Sequence, residues 1–74
     1  MEDKGAFVDR IVEALVENGD GRYDGLRERP VRYEDMGRGM EVLYIEANGV
    51  KAGTRNVGGN SLLALLQDVY EMLA

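Results

Sequence analysis

Val42-Leu43-Tyr44-Ile45-Glu46-Ala47-Asn48-Gly49-Val50-Lys51-Ala52-Gly53-Thr54-Arg55 carries the strongest local signal in the chain. Asn48-Gly49 accepts positive φ at both central positions of a two-residue type I′ turn, whose twist matches that of paired strands. Counting outward from it, Ala47 faces Val50, Glu46 faces Lys51, Ile45 faces Ala52, Tyr44 faces Gly53, Leu43 faces Thr54 and Val42 faces Arg55. Side chains alternate along a strand, so Leu43, Ile45, Ala47, Val50 and Ala52 share an apolar face that reads as core. The other face holds Val42, Tyr44, an opposed Glu46 and Lys51, and Arg55, with the Tyr44 ring laid over bare Gly53. That second face is expected to meet solvent or a partner.

Upstream, Val31 to Met36 alternates as a strand, Val31, Tyr33 and Asp35 against Arg32, Glu34 and Met36, and Pro30 before it points to a sheet edge. Further upstream, Phe7, Val8, Ile11, Val12, Leu15 and Val16 recur at helical spacing. This predicts a helix over Lys4 to Glu17, capped by Asp3 and stopped by Asn18-Gly19. Gly19 to Pro30 has turn composition and reads as a long loop with at most a short strand near Tyr23. Downstream, Gly58-Gly59 precedes Asn60 or Ser61 as the cap of a helix from Leu62 to Leu73. Its polar stripe is narrow, so it should be buried on more than one side, and one sheet and one helix leave little to cover it. The expected class is α+β: an N-terminal helix, a small antiparallel sheet of two to three strands with an Asn-Gly hairpin, and a C-terminal helix packed on one sheet face.

The 74 residues permit one core, so residues 1–74 read as a single domain. There is no Cys and no His, which removes disulfides, thiolate nucleophiles, imidazole bases and the common zinc sets. The start, Met1-Glu2-Asp3-Lys4, lacks the pattern of a signal peptide, and no apolar run approaches the ~20 residues that cross a bilayer. A cytoplasmic protein without a membrane partner is expected. The formal net charge of −5 repels polyphosphate and favours a basic partner.

Motif by motif, specific chemistry is excluded. Glu17, Asn18, Asp20, Asp24 and Glu28 among glycines invite a calcium reading, but placing Gly21 at the sixth position of an EF-hand loop puts Val16 first and Arg27 twelfth. Gly37-Arg38-Gly39 and the Gly53 to Gly59 segment lack the spacing of a phosphate cradle and read as turns. Ser61 is the lone serine and sits at a helix cap, while Glu34, Asp35, Glu41 and Glu46 are carboxylates of the kind that sheet surfaces carry. No catalytic residues, cofactor or metal are expected, and the chain reads as a non-enzyme.

Helix, three strands and helix, with the Asn48-Gly49 hairpin, Gly53 behind it and Ser61 opening the last helix, is similar in outline to double-stranded RNA-binding domains. That resemblance implies lysines at the start of the last helix, where this chain has Asn60-Ser61-Leu62-Leu63-Ala64. Without cations there, counterion release is lost and no direct nucleic-acid binding is expected. The reading that remains is a small acidic protein-binding module, regulatory or inhibitory. Its contact residues would be Tyr44, Arg55, Lys51, Arg32, Arg29 and Arg27, since Tyr and Arg dominate interface hot spots. Carboxylates such as Glu13 and Glu17 would suit the basic groove of a nucleic-acid-handling complex, as in small phage-encoded inhibitors, an analogy of size and charge. The alternative is a structural or assembly subunit, a homodimer formed through the C-terminal helix. On that surface reading, Arg55→Glu should leave thermal stability unchanged.

Overall fold

Helix α1 (Lys4–Asn18) starts where Asp3 leaves the extended region and its carboxylate accepts the Gly5 N–H at 2.9 Å. In this computed structural model, which describes residues 3–73, the polar Met1-Glu2 start lies outside the described residues. Gly19 ends α1 for lack of room and not through a left-handed turn, since its φ is −91°. A Cβ there would stand 2.4 Å from the Leu15 carbonyl oxygen and 2.6 Å from Cδ2 of Tyr23. After it the chain makes a single 3-10 turn, Asp24–Arg27, where a strand near Tyr23 had been the alternative. Leu26 anchors that turn in the core.

Strands β1 (Val31–Gly37), β2 (Met40–Ala47) and β3 (Val50–Asn56) form an antiparallel sheet in the order β1-β2-β3, and helix α2 (Leu62–Leu73) completes an α-β-β-β-α fold of the α+β class. β1 is an edge, as Pro30 implies. Two tight turns build the sheet. Asn48 and Gly49 take φ of 53° and 77°, and Arg38 and Gly39 take 56° and 76°, so Gly37-Arg38-Gly39 is turn chemistry.

The core lies between the β1 and β2 face and the helices, with Val8, Val31, Leu43, Val57, Leu65 and Val69 essentially inaccessible. α1 faces it with Val8 and Val12. Ser61 caps α2 by accepting the Ala64 N–H at 3.2 Å, while Asn60 instead gives its side-chain amide to Asp68.

Two expectations about the hairpin are corrected. Register runs as counted from Ala47 and Val50 to Ile45 and Ala52, but then shifts, so that Leu43 lies opposite Arg55 and Val42 opposite Asn56. Gly53 at φ 60° and Thr54 together stand opposite Tyr44, the two-against-one count of a β-bulge. Because strand faces alternate with a period of two, the extra residue throws Arg55 onto the Leu43 side of the sheet. Gly53 does not lie beneath the Tyr44 ring either: a Cβ there would meet Ile45 Cδ1 at 3.8 Å.

The second correction concerns coverage. Leu43 is buried, yet further along the same face Ile45 and Ala47 are only partly covered, Ala52 is exposed and Val50 is 63% exposed. The helices roof the Leu43 end of the face and leave the hairpin end open. α2 itself buries Leu65 and Val69 but leaves Leu63 at 66% and Tyr70 at 49% exposure. Its apolar excess therefore remains at the surface.

Candidate functional site

The sheet face away from the helices brings together three of the residues singled out in the sequence. Arg32 pairs with Tyr44 across β1 and β2. Lys51 holds its ammonium 5.0 Å over the Tyr44 ring. That ammonium is bound by Glu34, two strands away, and not by the opposed Glu46, and this contact raises the Lys51 pKa. Arg32 turns over the sheet edge to Asp9 of α1 at 2.9 Å. The face is thus held together by its own charges.

Arg55 belongs elsewhere. On the helix side it reaches Glu71 at 2.6 Å and Asp68 at 3.1 Å, and these two carboxylates on successive turns of α2 lock the helix to β3. The Glu71 contact, then the Asp68 contact, hold the guanidinium pKa above its ordinary value. Arg55 therefore stands on the helix side and not beside Tyr44 as counted, and its loss is expected to cost stability.

The densest polar cluster is equally structural. Glu41 on β2 accepts Lys4 Nζ at 2.7 Å and the Tyr33 hydroxyl on one oxygen, and the Gly59 N–H at 3.0 Å on the other. One carboxylate thereby ties the start of α1, strand β1 and the loop before α2. The Lys4 contact, then Tyr33 and Gly59, bring its pKa down to about 2. Burial first, and then the hydrogen bond to Glu41, hold the Tyr33 hydroxyl protonated well above the ordinary phenol range. Nothing in the sequence marked Glu41 apart from the other sheet carboxylates.

Glu13 and Glu17, expected on a free acidic helix face, line a cleft of about 400 Å³ that Arg27 and Arg32 also border. Arg27 stands 4.0 Å from Asp24. The acidic face of α1 is therefore interleaved with cations.

A different surface combines apolar side chains with charges that, among the described residues, have no ion-pair partner. Leu66 and Tyr70 of α2 border a groove of about 340 Å³ with Ile11, Ala14 and Leu15 of α1. Tyr70 also borders a hollow that reaches Gly19, Arg22 and Tyr23. Arg22 and Tyr23 in turn line a third groove of about 460 Å³, which Arg29 shares. Its floor is Ile45, Ala47 and Ala52, the part of the sheet face that the helices cover least, and Leu73 of α2 stands at its wall. The three depressions share residues and run as one band around the end of the molecule where α1, the 3-10 turn and α2 converge.

Of the eight residues singled out, only Arg29 lies on this band. Arg22, Tyr23, Leu63 and Tyr70 were missed as individuals. The apolar excess of α2 was the available signal for the last two. Among the described residues no group of three or more acidic side chains is arranged to hold a metal ion, and no helix is long and apolar enough to cross a membrane. No protein-family model matches the chain, nor does any curated protein or solved structure.

Proposed function

We propose that this chain is a small cytoplasmic protein-binding module that regulates or inhibits its partner by occupying it, with no catalytic step of its own. The observation that supports this is the band with its Tyr70, 49% exposed at the groove between α1 and α2, together with Leu63, 66% exposed on the same helix. A monomer rarely exposes contiguous large apolar groups without a use for them, and a half-exposed tyrosine is a common anchor of protein interfaces. A nucleic-acid-handling complex as the target draws on the net charge of −5 alone.

The test is a photo-crosslinking residue placed at Leu63 in the full chain, expressed in the cells it comes from. We expect an adduct with one partner protein that disappears when Tyr70 is changed to Ser. Absence of any adduct overturns the α2 flank as the contact on which this reading rests. Mass spectrometry of the adduct, with release at high salt, identifies or dismisses a basic, nucleic-acid-handling target.

A homodimer is the second reading, because the stripe of Leu63, Leu66 and Tyr70 carries no charge and would bring no like charges into direct contact, the repulsion between two copies at −5 each being screened by salt. A 12-residue helix, however, offers a strip about 18 Å long and about 10 Å wide, against the roughly 800 Å² per partner of a stable interface. A dimer would have to recruit the rest of the band. An adduct of the chain with itself, and a mass by light scattering that stays at twice the monomer on dilution, would decide for it.

A further inference from the structure

We infer that the groove at the hairpin end of the sheet is a docking site for an acidic, aliphatic peptide segment, one whose carboxylates flank a Leu, Ile or Val side chain. The inference rests on the reading of the chain as a protein-binding module and names the chemistry of the bound segment.

Three observations carry it. First, the floor is sheet face with an incomplete roof. Ile45, Ala47 and Ala52 lie on the same side as buried Leu43, and alternation alone would have made them core, yet Ile45 and Ala47 are only partly covered and Ala52 is exposed. Leu73 and Tyr23 wall the groove, so its about 460 Å³ suit an aliphatic side chain with the backbone that bears it.

Second, the rim is cationic in an otherwise acidic molecule. Arg22 and Arg29 both border the groove, and among the described residues neither has an ion-pair partner. Lys4, Arg27, Arg32, Lys51 and Arg55 are each committed to a carboxylate of the chain itself. Two unneutralised guanidiniums beside an apolar floor complement carboxylates flanking an apolar group, and guanidinium geometry accepts carboxylates in bidentate fashion. At physiological salt the screening length is about 8 Å, so these two local charges outweigh the net charge of more distant groups.

Third, β3 is one of the two sheet edges, with β2 on one side and, among the described residues, no strand on the other. Its Val50 to Ala52 segment lies before the bulge and beside the floor. Its outward backbone groups offer a peptide main-chain hydrogen bonds that a fatty-acid anion cannot use. The open groove also favours a segment laid across it over a lipid tail, which needs an enclosed cavity.

The experiment is an amide NMR titration of the full chain with three octapeptides: alternating Glu and Val, alternating Lys and Val, and alternating Glu and Ser. We expect the Glu-Val peptide alone to saturate, moving the amides of Tyr23, Ile45, Ala52 and Leu73. Arg22→Glu with Arg29→Glu should weaken it about tenfold, two exposed ion pairs being turned from attraction to repulsion. Arg38→Glu, in the distant β1–β2 turn, should leave it unchanged. Equal binding of the Lys-Val or the Glu-Ser peptide, no binding, or tighter occupation of the same amides by decanoate each overturns the inference. A Leu63 crosslink that survives in the Arg22→Glu, Arg29→Glu chain, with no Glu-Val binding to the wild-type chain, rejects this groove and keeps the protein-binding function. A Glu-Val titration without any crosslink rejects the α2 stripe as the contact instead.

Discussion

The two ends of one sheet face are built on opposite terms. At the Leu43 end, charged and hydroxyl groups close on one another: Glu41 with Lys4, Tyr33 and Gly59, and Arg55 with Asp68 and Glu71. At the hairpin end, Ile45 is only partly covered and Ala52 is exposed, and among the described residues Arg22 and Arg29 have no ion-pair partner. A chain this short cannot bury a large fraction of its surface. It spends its polar complementarity where the helices meet the sheet and leaves apolar floor and cationic rim together at the other end. Stability should therefore be concentrated at one end and recognition at the other.

The sharpest way to break that division is to compare two aliphatic residues on the same strand and face. Leu43→Ala empties a sealed core and should cost about 3 kcal/mol, whereas Ile45→Ala, at a side chain only partly covered, should cost about 1 kcal/mol. Urea denaturation of the two variants checks the gap, and equal losses would mean that the hairpin end is roofed as well.

Arg55→Glu should lower the melting temperature next most, since it sets a third carboxylate against Asp68 and Glu71. The drop should shrink in high salt, and calorimetry in low and high salt reads it directly.

Glu41 gives the comparison a pH dependence. Its pKa falls from 4.5 to about 2 on folding, so the folded state binds the proton more weakly than the unfolded chain. The stability this contributes is fully present above pH 4.5 and drains away as pH falls from there towards 2. Denaturation midpoints between pH 6 and 2.5 should decline through that window in the wild-type chain and decline less in Glu41→Gln.

Arg22→Ala with Arg29→Ala should change stability least, within about 0.5 kcal/mol, because both are exposed and, among the described residues, neither has an ion-pair partner. A larger loss would show that the rim belongs to the structural end after all.

How much of this was legible beforehand follows from the range of each cause. The caps at Asp3 and Ser61, the Asn48-Gly49 turn, the spacing of Val8 and Val12 and the edge role of β1 rest on neighbours a few residues apart, and the sequence reading placed all of them. The register held for three pairs from the turn and failed where Gly53 takes positive φ. A lone glycine inside a strand is itself a bulge signal, and weighing it would have moved Arg55 to the helix side. The groove was harder to foresee. Alternation shows that Ile45 and Ala52 share a face with Leu43, but which stretch of that face is roofed depends on where two helices come to rest, a property of the whole packing. Glu41 was illegible for the same reason, since its partners lie far from it along the chain.

The bulge at Gly53 and Thr54 has a bearing on solubility as well. An outermost strand with a straight, regular row of free amides and carbonyls is a template onto which further copies can stack into fibrils. Here the row is interrupted midway, and the strand beyond the break is re-aimed so that Arg55 turns inward to α2. What stays regular is short, which lowers the tendency of that edge to seed a sheet growing from copy to copy.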